Sequence, residues 1–160
     1  MSNMNRSLKF LVLFLFLIGC NADVSNERIG LFAKTKGLNP EQVNAYANQA
    51  LKADKGIGFG EELTIEILGI DDFRTDENGR VFLGGENTLV DSDDNVIYYV
   101  EDYFKKYELT GVSTKDAKSL KFNLRVGKPM TKDSTYRFLF KLWDKKSEKE
   151  LKGNIELLVK

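Results

Sequence analysis

The chain has 160 residues, with 24 Lys plus Arg balancing 24 Asp plus Glu for a formal charge of zero. So mixed a balance leaves no electrostatic footprint for DNA or RNA, and nucleic acid is not an expected partner. Histidine is absent and cysteine occurs once; imidazole bases, Ser-His-Asp and Cys-His pairs, His-liganded metals and intramolecular disulfides are thereby excluded.

In chain order, Arg6 and Lys9 come first and nine consecutive apolar residues, Phe10 to Ile18, follow. Crossing a bilayer takes about 20 apolar residues, and the run has no polar face for an amphipathic helix. A basic start, a short apolar block and small residues before a cut are the layout of a secretory signal. Its closing residues, Leu17-Ile18-Gly19-Cys20, resemble the lipobox of bacterial lipoproteins. The resemblance implies that residues 1–19 are a removed signal peptide and that Cys20 carries a thioether-linked diacylglycerol and an N-terminal acyl chain such as palmitate. The implied partner is a membrane, and two lipid signals give stable attachment. Asn21 stands where an aspartate would resemble the inner-membrane retention signal of enteric bacteria, so the implied place is the bacterial cell envelope, at the outer rather than the inner membrane. Cleavage would remove two basic and no acidic residues, leaving 22 against 24 and a net charge of −2. The remaining 141 residues suffice for one domain with a core.

Residues 20–35 read as a lipid-anchored tether, polar from Asn21 to Glu27. Residues 36–58 read as an accessory helix region. Asn39-Pro40-Glu41-Gln42 combines a cap residue, a proline at the first helical position and a glutamine three residues after the cap. The pattern predicts a helix to Asp54, with Val43, Ala47, Ala50 and Leu51 on one face and Lys55-Gly56 as its stop. Its narrow, alanine-rich stripe requires a larger partner surface.

Residues 59–160 read as the folded domain, where the apolar period changes to two. Leu63, Ile65 and Ile67 alternate with polar residues, as do Leu120, Phe122, Leu124 and Val126, then Tyr136, Phe138, Phe140 and Leu142, and finally Ile155, Leu157 and Val159. Shorter strands are predicted near Arg80–Leu83, Thr88–Val90 and Asn95–Val100. Turn residues separate them at Asp76-Glu77-Asn78-Gly79, Asp91 to Asn95, Gly127-Lys128-Pro129 and Lys145 to Lys149. About seven strands without intervening helices predict a mainly β fold, an antiparallel β-sandwich of immunoglobulin-like or related topology.

Three features are candidates for function. The first is a set of aspartates: Asp71-Asp72, Asp91-x-Asp93-Asp94 and Asp144. Leu142-Trp143-Asp144 with Leu151-Lys152-Gly153-Asn154-Ile155 is similar to the last hairpin of C2 domains, which hold calcium with loop aspartates. Lys145 and Lys146 stand where such a loop wants further aspartates, and Asp91-x-Asp93-x-Asn95 lacks the glycine and glutamate of an EF-hand loop. These residues read as turn formers, with no metal, no cofactor and no catalytic residue expected. The second feature is aromatic: Tyr98 and Tyr99 are binding candidates, weighed against one of them alternating into the core while Phe104 plugs its end. The third is an outward set, Leu139, Trp143 and Leu158, more apolar than a bare surface usually is; its expected cover is the Asn39–Asp54 helix or Ile29-Gly30-Leu31-Phe32, and otherwise a partner. The sequence therefore reads as a non-catalytic binding or assembly component whose partner is an envelope protein or a glycan. The alternative in another class is a small carboxylate-dependent hydrolase.

Overall fold

The computed structural model describes residues 23–160; the expected signal peptide and Cys20 lie outside the described residues. In chain order the strands are Val24–Asn26 (β1), Leu31–Lys36 (β2), Gln42–Ala47 (β3), Ala50–Leu51 (β4), Gly56–Ile57 (β5), Glu62–Leu68 (β6), Arg80–Val81 (β7), Leu83–Val90 (β8) and Val96–Val100 (β9). Val112–Ser113 (β10), the short helix Thr114–Ala117 (α1), Ser119–Arg125 (β11), Thr135–Asp144 (β12) and Glu150–Val159 (β13) follow. One sheet has the order β1-β2-β13-β12-β8-β9, with β5 lying parallel on the end of β13, and the other has the order β11-β6-β3-β4. The two form an antiparallel sandwich, and β7 and β10 make a small separate ribbon.

Alternation explains the layering. On β12 the residues Tyr136, Phe138, Phe140 and Leu142 are buried, and on β13 Leu151, Ile155, Leu157 and Val159 are buried beside them. Leu63, Ile65 and Ile67 of β6 and Leu120, Phe122 and Leu124 of β11 fill the same core from the other sheet. Burying each such side chain contributes about 1.5–3 kcal/mol, and a slip of one residue would turn the whole set to solvent. The alternating strands read from sequence are all present. The aromatic plug is present too: the Phe104 ring lies 5.4 Å from Tyr103 and 5.7 Å from Phe122.

The predicted helix is not. Residues 42–47 form β3, the third strand of the smaller sheet, paired with β6 from Gln42↔Leu68 to Ala47↔Leu63. Val43 and Ala45 are buried by strand alternation, and Asn48 and Gln49, with φ of +46° and +68°, turn the chain directly into β4. Asn39 is no helix cap, since its backbone N–H and its Nδ2 both donate to Asp72 Oδ2, at 2.7 and 3.2 Å. Pairing satisfies the row of backbone groups along the edge of β6, which a helix over residues 42–47 would leave unpaired, and long-range pairing overrides local helix signals. The residues expected to form a tether are part of the sheet from Val24 onward: they lie in β1, the turn at residues 27–30 and β2, and β2 pairs with β13.

One polar side chain faces the core without help. Asn87 on β8 is fully buried, and neither its Oδ1 nor its Nδ2 has a hydrogen-bond partner among the described residues. A buried unsatisfied amide costs about 1–3 kcal/mol. The near-isosteric Asn87→Leu should therefore raise the thermal midpoint, by roughly 5 °C for a domain of this size. A lowered midpoint would show that the amide has a partner in solution.

Candidate functional site

The larger sheet turns its second face outward, and side chains across it follow the register in rows. The central row is Phe32 on β2, Asn154 on β13, Leu139 on β12, Thr88 on β8 and Tyr99 on β9. The next row is Lys34, Lys152, Lys141 and Glu86, and beyond it lie Lys36, Glu150, Trp143 and Gly84. Leu139 and Trp143 are thus separated by the lysine row, about 13 Å apart along β12. Leu158, opposite Thr135, lies as far from Leu139 in the other direction. The apolar patch expected around Leu139, Trp143 and Leu158 is therefore one central row plus two outlying side chains. Its missing member is Phe32, which is 43 % exposed.

Neither expected cover exists. Residues 39–54 belong to the smaller sheet, and Ile29 to Phe32 run into β2 at the level of the sheet rather than above it. Trp143 is shielded from below instead, because its indole packs so close to Gly84 that a Cβ there would clash with Cε2, Cζ2 and Nε1 of the ring. Gly84 and its neighbour Gly85 are a paired seat, with Trp143 against the first outside and Phe104 against the second inside. Lys141 Nζ stands 5.3 Å from the indole centroid and 3.4 Å from Glu150 Oε2, while Lys152 Nζ lies 2.7 Å from Glu150 Oε1. The hydrogen bond from Lys152, followed by that from Lys141, holds the Glu150 carboxyl below its ordinary range.

The sheet ends at β9, whose far side makes no strand pairing among the described residues. Its sequence, Val96-Ile97-Tyr98-Tyr99-Val100, carries no charge. Neither tyrosine enters the core: Tyr98 and Tyr99 are 43 % and 53 % exposed. Tyr99 stands on the outer face opposite Thr88, and desolvation, with Glu86 and Glu101 adding to it, pushes its phenol up. Tyr98 instead lines a groove of about 240 Å³ between the two sheet edges, with Leu89, Ile97, Asn123, Arg125 and Pro129. The aromatic rings of this segment that pack on the core residue Phe122 are those of Tyr103 and Phe104.

The aspartates serve the turns. Asp91 Oδ1 accepts from the backbone N–H groups of Asp93 and Asn95, both at 2.9 Å. Those bonds and the Asn95 side chain, the largest influence, lower its pKa. Asp144 is buried and accepts from Arg74 N, Lys146 N and Ser147 Oγ at 2.9, 2.8 and 2.7 Å. Asp71 pairs with Lys118 at 2.6 Å, and Asp116, in the groove beside α1, accepts from Ser113. No two carboxylates face one another across these grooves, and among the described residues no three side chains of metal-ligating type are grouped.

No protein-family model matches the chain, and no curated protein matches its sequence.

Two expectations follow from the outer face. Gly84→Val should expel the Trp143 ring, red-shift its emission and destabilise the domain by about 1–3 kcal/mol; unchanged emission would contradict the seat. Because the Glu150 pKa is depressed on folding, its contribution is complete above the unfolded value near 4.5 and is lost as pH falls through the folded one. Glu150→Gln should accordingly flatten the acid side of the stability curve, whereas an unaltered acid slope would show that the Lys141–Glu150–Lys152 cluster adds nothing.

Proposed function

We propose that this chain is a lipid-anchored component of the bacterial cell envelope that binds or assembles with a partner and catalyses no reaction. The anchor is Cys20, on the strength of the lipobox-like Leu17-Ile18-Gly19-Cys20, at the outer membrane. The observation that carries the binding reading is the bare edge of β9. Sheets normally protect such edges with lysine, proline or a covering segment, and β9 has none of these in its five residues. An unprotected edge is a template on which an extended segment of another protein adds as a further strand, the backbone giving affinity and neighbouring pockets specificity. The groove behind Tyr98 is such a pocket, and Tyr99 offers a flat apolar ring with a polar tip. Asp93 before the strand and Glu101 after it suit a partner strand with basic flanks, Asp94 being paired with Arg137.

The test is site-specific photocrosslinking in the native envelope. Benzoylphenylalanine at Tyr98 should capture one defined envelope component, the same group at Glu77 should not, and Val96→Lys, which charges the edge at a residue 63 % exposed, should abolish capture. Equal capture from both positions, or capture indifferent to Val96→Lys, would refute edge pairing.

A further inference from the structure

We infer that the outer face of the larger sheet, at its β1-β2-β13-β12 end, rests on an anionic lipid surface, so that the domain lies face-down on the membrane holding its anchor. This rests on the reading of Cys20 as the lipidated residue. Reach is the first argument. Only three residue steps separate Cys20 from Asp23, where the described chain begins one residue before β1, and at most about 3.6 Å per residue gives a span of about 11 Å. A domain of this length has a radius of gyration of about 14 Å, so the side that carries Asp23 cannot stand clear of the bilayer.

Surface chemistry is the second argument. Asp23 is itself a wall of a shallow outer-face groove of about 450 Å³, shared with Val24, Phe32, Lys34, Leu139 and Lys152. The groove joins the exposed Phe32 ring and Leu139 to the row Lys34, Lys152 and Lys141. An aromatic ring with aliphatic neighbours suits the headgroup boundary, and lysines beside it suit lipid phosphates. The balance of charge agrees. The outward side chains of β2, β12 and β13 comprise Lys34, Lys36, Arg137, Lys141 and Lys152 against Glu150 and Glu156, with Asp23 on the groove wall and Asp94 paired to Arg137, which leaves a slight basic excess centred on Lys34 and Lys36. Seated in this way, the sheet leaves the β9 edge open sideways, toward partners held in the same membrane.

The experiment uses the full chain, processed in its host, purified from membranes and reconstituted in vesicles of phosphatidylcholine and phosphatidylglycerol at three to one, with and without brominated acyl chains. Trp143→Phe removes the only tryptophan, and Phe32→Trp or, as a second reporter, Ser25→Trp places one on the seat; Tyr46→Trp on the smaller sheet is the control. Bromination should quench emission from positions 32 and 25 at least twofold and leave position 46 unchanged. Lys34→Glu with Lys152→Glu should abolish the difference. Flotation with the vesicles but equal, weak quenching at all three positions would overturn the seat while leaving the anchor intact. Failure to float, with no acyl mass on Cys20, would remove the anchor and the seat together. A blue shift at position 32 that grows with protein concentration and ignores bromination would assign the face to a second copy of the chain and overturn the lipid seat.

Discussion

Side-chain alternation on β12 and β13 is the constraint from which the rest follows. Each of these ten-residue strands sends one set of side chains into the space between the sheets, where Phe138, Phe140, Leu142, Leu151 and Ile155 are almost fully buried. The opposite set must face outward, and among the described residues no helix covers it. Charged rows and the Gly84 seat make that uncovered face tolerable: lysines break the apolar area into bands, and Trp143 packs against Gly84 with Lys141 Nζ near its ring. Isolated surface apolar residues are ordinary. The proximity of Phe32 and Leu139 to Asp23, with lysines alongside, is what gives this face a direction.

Much of the sandwich was legible because alternation is a strong signal where one face is buried. β6, β11, β12 and β13 follow from it, and Phe104 as a plug follows from its position after the tyrosines. What was misread is equally physical. Asn39-Pro40 and Gln42 are helix-start residues, yet Asn39 pairs with Asp72, and the hairpin turns at Asn48-Gln49 rather than at the Asn-Gly pair that signals such a turn most strongly. The alanines at 45 and 47 suit either structure, so pairing with β6 decided between them. β2 was hidden because Phe32 occupies its solvent side and Thr35 its buried side, which blurs the alternation of Leu31 and Ala33.

The candidate site was only half legible. Leu139, Trp143 and Leu158 were correctly placed outward, but sequence gives no lateral register, and register is what inserts the lysine row between the first two and brings Phe32 beside Leu139. Tyr98 and Tyr99 needed the strand order before their position at a free edge had meaning. The aspartates kept their role as turn residues, with Asp144 going further: it is a buried acceptor that ties Arg74 to the β12–β13 turn.

Face and edge together describe a domain that would be held close to a membrane and open along one side. The closeness to a membrane depends on Cys20 being where the chain is anchored, and intact mass spectrometry of the protein extracted from its native membrane reads that directly. The account requires a chain whose first residue is Cys20 and carries the added mass of a diacylglyceryl group and an acyl chain. A chain that retains residues 1–19, or one cut at another bond and bearing no lipid, would contradict it.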